Sequence, residues 1–278
     1  MTISEIIKNA LTEDIGDGDH SSLASIDANA ISKARLYVKE EGILAGVEVA
    51  KQVFAIFDSN LKMEIFINDG TPVKAGDVAF EITGPAISIL STERTVLNFM
   101  QRMSGIATST NKLAKLIADT QCKILDTRKT TPGVRIFEKM AVKLGGGENH
   151  RMGLYDMIML KDNHIDYAGG IRAAIEKTQA YLSNNKKDLK IEIEARTLED
   201  VKEIIQVGGV DRIMLDNFTP EKIVEALGVI NGKYETEASG KITHDNIREY
   251  ALTGVDFISS GALTHHIKSL DLSLKAVV

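Results

Sequence analysis

The spacing of hydrophobic and polar residues changes near the middle of the chain, and this change divides the sequence into two predicted parts. In the first part, the apolar positions predict an amphipathic helix over 1–12 and a second helix over 48–57. Short runs over 34–39, 63–67 and 78–83 have the pattern of strands. Together these elements indicate a small α+β domain with an antiparallel sheet.

Two segments complete this first part. Glu13–Ser22 is rich in Gly and Asp, a composition typical of a loop. Thr92–Met103 is predicted to be a long helix, with Thr92 as a candidate cap. We expect this helix to continue through Gly105 towards Leu116 and so to lead into the second part of the chain.

The second part alternates short apolar runs with helical stretches, which predicts parallel strands joined by crossover helices. The six clear runs are 123–126, 156–161, 190–194, 212–216, 234–239 and 256–260. A closed (β/α) barrel has eight strands, so this α/β pattern favours an incomplete or open barrel. We predict a smaller N-terminal α+β sandwich domain at 1–105 and an α/β-barrel domain at 106–265, and we expect the tail 266–278 to pack on the first domain.

Composition excludes several classes of protein. The 278 residues are 44% hydrophobic and 26% charged, which is ordinary for a soluble globular protein. The single Cys122 excludes an internal disulfide framework and fits a reducing compartment. The first residues lack the features of a signal peptide, and no apolar run is long enough to span a membrane. We therefore expect a cytoplasmic protein with no membrane partner.

Polar residues end nearly every strand of the second part. The predicted strands end at Asp126, Lys161, Glu194, Asp216, Ser239 and Ser260. Barrel enzymes place their active sites at the carboxyl ends of the strands. The recurrence of polar residues at these positions therefore predicts an active site at this edge of the sheet.

A cluster of basic residues lies within Asp126–His164, although the whole chain has a formal net charge of -6. Its members are Arg128, Lys129, Arg135, Lys139, Lys143, Arg151 and Lys161, with His150 and His164. A local cluster at strand ends favours a pocket for a small polyanion, whereas nucleic-acid binders carry a basic domain or stripe. Lys161 could act as a carboxylate or phosphate clamp, or as a Schiff-base lysine, and both alternatives stay open.

Alternation along the strand 190–194 places two glutamates on one face. Ile191 and Ile193 share one face, and Glu192 and Glu194 share the other. We expect the apolar face to meet the helices and the glutamates to line the barrel interior. They could form a structural salt bridge, or they could face ribose hydroxyls or a metal-bound substrate.

Glycines follow the last two strands, at Ser239-Gly240 and at Ser260-Gly261-Ala262. Such loops commonly hold a phosphate through backbone N–H groups. His265 is predicted to lie one turn into the following helix, either facing that phosphate or as a solvated residue at the helix start.

Ten segments of the chain together resemble the quinolinate phosphoribosyltransferase family, also called nicotinate-nucleotide pyrophosphorylases (carboxylating). The segments are EDIGDGDHSS, AGVEVAKQVF, ERTVLNFMQRMSGIAT, DTRKTTPGVR, KLGGGENHRMGL, MIMLKDNH, IEIEA, IMLDNF, EASG and GVDFISSGALTHH. The resemblance extends over nearly the whole chain, and DTRKTTPG, GGGENHR and LKDNH are its most specific parts.

This resemblance implies an activity, a cofactor and an oligomeric state. Quinolinate and phosphoribosyl pyrophosphate (PRPP) would react, with magnesium, to give nicotinate mononucleotide, pyrophosphate and carbon dioxide. The reaction is a step of de novo NAD synthesis. Members of the family are homodimers or larger homo-oligomers, in which the small domain of one subunit covers the barrel mouth of its partner.

The resemblance also implies roles for residues that would contact quinolinate. Arg128 and Arg151 match the carboxylate binders, with His150 and Lys161 beside them. An arginine suits a planar carboxylate because its guanidinium can bind both oxygens. Arg94 matches an arginine contributed across the dimer interface, although it could instead form a surface salt bridge with Glu93 or another acid.

Other matching residues would contact PRPP or the phosphate of the product. Lys129 matches a residue near the pyrophosphate, and Glu194 and Asp216 match carboxylates that hold ribose hydroxyls or PRPP-bound magnesium, with no direct metal ligand predicted. The predicted phosphate-binding residues are Ser239, Gly240, Lys241, Ser260, Gly261, Ala262 and His265, and Thr127 is a further substrate-binding residue.

The chain departs from the family pattern at Lys241, where many members have a second glycine after Ser239-Gly240. If only the backbone N–H binds phosphate, Lys241 is tolerated and its charge helps. If the position needs a positive φ, a lysine costs about 1 kcal/mol or more.

Three other functions fit parts of the sequence. A paralogous phosphoribosyltransferase would share the fold but use another acceptor, although the complete arginine set argues against it. A barrel lyase would use Lys161 as a Schiff base. A biotinyl- or lipoyl-type carrier would use Asp69–Gly84, but no characteristic modified lysine is evident, and the second half would be left unexplained.

Overall fold

A computed structural model describes residues 1–277, which form two compact units. The N-terminal unit contains residues 1–111, 130–146 and 263–277. The parallel-sheet unit contains residues 112–129 and 147–262. The predicted tail 266–278 includes Val278, which lies outside the described residues.

The chain contains both helices and strands from its first elements to its last. The first elements are α1 (Ile3–Ile15), α2 (His20–Ser25), β1 (Ile31–Val38), β2 (Gly42–Ile43), α3 (Val47–Phe57), β3 (Lys62–Ile65), β4 (Pro72–Val73), β5 (Val78–Pro85) and α4 (Ala86–Leu116). The following elements are β6 (Lys123–Leu125), α5 (Arg135–Leu144), β7 (Ile158–Leu160), α6 (Asp162–Ala168), α7 (Ile171–Asn184), β8 (Ile191–Ala195), α8 (Leu198–Val207), β9 (Arg212–Asp216), α9 (Pro220–Ile230), β10 (Glu235–Ser239), α10 (Ile247–Ala251), β11 (Phe257–Ser259), α11 (Ala262–His265) and β12 (Leu272–Ala276). Within residues 1–277, none of these helices combines the length and the apolar character that a membrane crossing requires.

The N-terminal unit is built on an antiparallel sheet with the strand order β12-β1-β5-β3. Leu36 of β1 pairs with Phe80 of β5 on one side and with Leu274 of β12 on the other, and all three side chains are buried. Alternate residues of β1 are buried because successive side chains of a strand point to opposite faces. The prediction of an N-terminal α+β domain with an antiparallel sheet is therefore confirmed.

The long helix α4 begins earlier than the sequence indicated. Thr92 lies in its interior, and its Oγ1 donates a hydrogen bond to the carbonyl of Ser88 at 2.7 Å, so the prediction of Thr92 as a cap was wrong. A hydroxyl inside a helix can bond back to an earlier carbonyl in this way. Gly105 is required because a Cβ there would overlap the carbonyl oxygen of Lys268.

The predicted loop Glu13–Ser22 is partly helical, so this prediction was also wrong. Helix α1 continues to Ile15, and α2 begins at His20. The Oδ1 atom of Asp19 accepts a hydrogen bond from the backbone N–H of Ser22 at 3.1 Å. The Asp and Ser residues that indicated a loop therefore cap a short helix, a role for which the same residue types are favoured.

The parallel-sheet unit contains one six-stranded sheet with the order β6-β11-β10-β9-β8-β7. Neighbouring strands are all parallel. Each of the six predicted runs forms one of these strands, and β6 and β7 are the outer ones. The prediction of an α/β fold with an incomplete or open barrel is therefore confirmed.

Candidate active site

A cavity of about 330 Å³ opens at the carboxyl ends of the parallel strands. It is lined by residues from β7, β9, β10 and β11, from the segment that follows β6 and from the segments on either side of β7. The predicted site residues in its wall are Thr127, Arg128, Lys129, His150, Arg151, Lys161 and Ser239. Parallel strands present their carboxyl ends at one edge, which brings together residues that are distant in sequence.

The other predicted site residues lie outside the wall of this cavity. In the parallel-sheet unit these are Glu194, Asp216, Gly240, Lys241, Ser260, Gly261 and Ala262. Two more belong to the N-terminal unit. Arg94 is exposed on α4 and forms no ion pair among residues 1–277, while His265 is exposed at the end of α11 with its ring 4.3 Å from that of His266.

Four cationic side chains line the cavity: Arg128, Lys129, Arg151 and Lys161. The Nη1 atom of Arg151 donates to the carbonyl of Met157 at 3.2 Å, which fixes the guanidinium. Burial, together with the charge of Arg128, lowers the pKa of Arg151. Two guanidinium groups that repel each other in a cavity favour an anionic ligand, because its charge offsets both.

Two carboxylates end the neighbouring strands β8 and β9. Glu194 is 7% exposed, and its Oε2 accepts a hydrogen bond from the backbone N–H of Asp162 at 3.0 Å. Burial raises the pKa of Glu194, the charge of Lys161 opposes that rise, and the charge of Asp216 adds to it. Asp216 accepts a hydrogen bond from the Nδ2 of Asn217 at 2.6 Å. This pair of carboxylates suits hydroxyl groups or a hard cation.

The loop after β10 holds two residues with positive φ in succession. Gly240 has φ +99° and Lys241 has φ +53°. A Cβ at Gly240 would overlap the Oδ1 of Asn217, so only glycine fits there. Lys241 is exposed and adopts the left-handed conformation that lysine disfavours. Of the two cases considered for Lys241 from the sequence, the structure therefore matches the one that carries a conformational cost.

A buried ionic network at this cavity was only partly foreseen from the sequence. His150 Nε2 lies 2.9 Å from Glu192 Oε2 and 3.2 Å from Glu237 Oε2. Arg212 Nη1 lies 3.1 Å from the same oxygen of Glu237. The alternating glutamates of the strands β8 and β10 were a signal for it, whereas nothing near Arg212 in the sequence pointed to a partner.

The charges of this network shift one another's titration. Burial lowers the pKa of His150, but its contacts with Glu192 and Glu237 outweigh this effect and raise the pKa above its usual value. Burial and the neighbouring charge of Glu237 raise the pKa of Glu192 to about 7. Carboxylates placed this deeply are costly unless cations accompany them. The two glutamates therefore depend on His150 and Arg212.

The N-terminal unit contains a separate cavity of about 310 Å³. Phe99, Met103 and Phe137 form its apolar wall, and Arg102 forms an ion pair with Glu138 at its edge. None of the predicted site residues lines this cavity. The candidate chemistry is therefore in the parallel-sheet unit.

The fold and the site define a class of protein. An open α/β sheet with cations, carboxylates and glycine loops at the carboxyl ends of its strands is the arrangement of an enzyme that binds a polyanionic substrate. The model of the quinolinate phosphoribosyl transferase C-terminal domain matches residues 106–275, and that of the N-terminal domain matches residues 19–104. The chain belongs to the quinolinate phosphoribosyl transferase family.

Similar proteins occur in plants and bacteria. The chain is 45% identical to quinolinate phosphoribosyltransferase [decarboxylating] 2b, mitochondrial, of Nicotiana tabacum, over 98% of this chain and 82% of that protein. It is 42% identical to the probable nicotinate-nucleotide pyrophosphorylase [carboxylating] of Bacillus subtilis, over 99% and 93%. The structure of NadC from Streptococcus pyogenes superimposes with a TM-score of 0.93 at 40% identity, over 99% of this chain and 97% of that one.

Proposed function

We propose that this protein transfers the phosphoribosyl group of PRPP to quinolinate and removes one carboxyl group, giving nicotinate mononucleotide, pyrophosphate and carbon dioxide in NAD biosynthesis. The observation that carries the proposal is the cavity with Arg128, Arg151, Lys129 and Lys161 in its wall. Quinolinate has two adjacent carboxylates on a flat ring, and a pair of guanidinium groups suits such an anion.

The residues at the strand ends have different roles in the reaction. Attack by the pyridine nitrogen on the anomeric carbon breaks the bond to pyrophosphate and develops positive charge on the ribose. Glu194 and Asp216 stabilise that charge, and Lys129 stabilises the leaving pyrophosphate. Ser239, Gly240 and the loop after β11 hold the 5-phosphate. His265 would complete that subsite, a role that rests on the resemblance alone.

Decarboxylation then follows from the charge on the ring. Once the ring nitrogen is cationic, the bond between C2 and its carboxylate breaks, and the electron pair stays at C2. A proton from solvent then forms the new C–H bond at C2. Arg151 and Arg128 hold the ring in place, and the cavity limits access of water to the leaving carboxylate. This scheme needs no dedicated general acid.

Magnesium, a homodimer and a cytoplasmic location are further parts of this proposal. Glu194 and Asp216 suit Mg²⁺ carried by PRPP, because the charge of Asp216 raises the pKa of Glu194 and both residues offer oxygen ligands. When bound, the ion neutralises pyrophosphate charge. Arg94 is exposed on α4, a placement that supports contact with the site of a partner subunit.

The test is the loss of quinolinate absorbance after PRPP and magnesium are added to the purified protein, with nicotinate in a parallel cuvette. Turnover of quinolinate alone is expected. Arg151→Ala should reduce kcat/KM for quinolinate by roughly a hundredfold or more, the scale of a lost charge-assisted pair. Arg172→Ala, which removes an exposed arginine paired only with Glu176, is the matched control and should change little. If neither acceptor is turned over, the protein is instead a related phosphoribosyltransferase that uses a different acceptor.

A further inference from the structure

Both ring nitrogens of His150 have a polar neighbour inside the parallel-sheet unit. Nδ1 accepts a hydrogen bond from the backbone N–H of Arg151 at 2.7 Å. Nε2 lies 2.9 Å from a carboxylate oxygen of Glu192 and 3.2 Å from one of Glu237. An imidazole has only these two polar atoms. Both nitrogens of His150 therefore face groups of the protein, although its ring lines the cavity and Nε2 is not aligned for a hydrogen bond to either carboxylate.

The hydrogen bond at Nδ1 also fixes where the ring carries its proton. Since Nδ1 accepts from Arg151, the proton of the neutral ring is on Nε2, which faces the two carboxylates. A second proton, which the charges of Glu192 and Glu237 favour, would have to sit on Nδ1 and would break the contact with Arg151. The 2.7 Å contact is therefore that of the neutral ring, and it opposes the rise in the pKa of His150. A histidine with two glutamates could hold a metal ion, but in both protonation states Nε2 lacks the lone pair that a metal needs.

A cation behind the two glutamates completes the arrangement. Arg212 Nη1 lies 3.1 Å from Glu237 and 3.9 Å from Glu192, and the guanidinium lies 4.0 Å from the ring centre of Phe257. Glu192 is fully buried, and neither of its carboxylate oxygens has a hydrogen-bond donor in good geometry among residues 1–277. Its contacts with His150 and Arg212 are therefore ion pairs that act mainly through charge.

We infer that Glu192 and Glu237, held by Arg212, are positioning residues that fix the His150 ring, and that His150 in turn fixes Arg151 at the subsite for the substrate's carboxylates. His150 acts through Arg151 and makes no direct bond to the carboxylates. The connection runs from the start of β9, through β8 and β10, to the segment before β7. The inference rests on the proposed function, because it concerns how the acceptor is bound.

The first experiment compares Glu192→Gln and Glu237→Gln with Glu235→Gln. Glu235 contacts the same Arg212 at 3.0 Å, but its side chain is 41% exposed and forms no ion pair with His150 among the described residues, so it is the matched control. The KM for quinolinate should rise roughly tenfold or more in the first two variants, the scale of one hydrogen bond to a charged group. The KM for PRPP should stay within about twofold, and Glu235→Gln should leave both values unchanged.

If the glutamates only stabilised the fold, replacing them would lower the melting temperature and the fraction of active enzyme. It would not raise the KM for quinolinate while leaving the KM for PRPP unchanged. The second experiment therefore combines Glu192→Gln with Arg151→Lys. If the glutamate acts through Arg151, the KM for quinolinate of the double variant should rise by less than the product of the two separate rises. If the two losses multiply, Glu192 does not act through Arg151 and the inference is overturned.

These outcomes separate the inference from the proposed function. A wild-type enzyme that turns over neither quinolinate nor nicotinate refutes the function. A wild-type enzyme that turns over quinolinate, with folded Glu192→Gln or Glu237→Gln keeping its quinolinate KM within twofold, refutes the inference alone. Should the glutamine variants fail to fold, His150→Gln is combined with Arg151→Lys instead. If His150 acts through Arg151, the KM for quinolinate of the double variant should rise by less than the product of the two separate rises. If the two rises multiply, His150 does not act through Arg151 and the inference is overturned.

Discussion

Replacing Lys241 with glycine separates two effects that this residue has in the loop after β10. Lys241 has φ +53°, a conformation that costs a side chain about 1–2 kcal/mol. Glycine removes that cost but loses about 0.5–1 kcal/mol more backbone entropy on folding. We therefore expect Lys241→Gly to stabilise the protein by about 0.5–1 kcal/mol, or a rise in Tm of roughly 1–4 °C.

The same substitution removes a charge beside the predicted phosphate site. Lys241 is exposed, so solvent screens its attraction for a phosphate to about 1 kcal/mol at most. The KM for PRPP should then rise roughly two- to fivefold. This difference from the wild type should shrink as the salt concentration increases, because screening shortens the reach of an exposed charge.

Lys186 provides the matched control, because it is also an exposed lysine with a positive φ, +50°, but lies in the turn after α7. Lys186→Gly should raise Tm by a similar amount and leave the KM for PRPP unchanged. Thermal unfolding and steady-state kinetics at two salt concentrations measure both quantities. A lower Tm for Lys241→Gly refutes the conformational argument, and an unchanged KM for PRPP refutes the electrostatic one.

Three further predictions concern Glu194, the metal and Cys122. Lys161→Met should move the acid limb of the pH profile of kcat/KM to higher pH. The charge of Lys161 opposes the rise in the pKa of Glu194, so without it the pKa is higher and Glu194 is protonated earlier as pH falls. An unmoved limb contradicts the proposed role. Chelation by EDTA should abolish turnover, and added Mg²⁺ should restore it; full activity in EDTA contradicts the proposed cofactor. Burial raises the pKa of the Cys122 thiol to about 12, so native protein should not react with a thiol reagent at neutral pH, and rapid labelling would show that the residue is accessible.

The local spacing of apolar residues was sufficient to predict the strands of the parallel sheet and the polar residues that end them. Each predicted run forms a strand, because a short segment with apolar residues between two helical stretches buries those residues most readily in a sheet that the helices cover. The helix boundaries were less well predicted. Thr92 and the Asp and Ser residues of Glu13–Ser22 each fit two local structures, and the hydrogen bonds that they make in the folded chain show which structure forms.

The sequence by itself determined the family, the sheet and most of the cations at the site, because these depend on residue types and on periodicity within short segments. Only the tertiary structure decided that His150 contacts Glu192 and Glu237, and that Arg212 supports both. These partners come from different strands, and their pairing depends on the register of the parallel sheet. No local pattern encodes that register, because it is set by the packing of the whole unit.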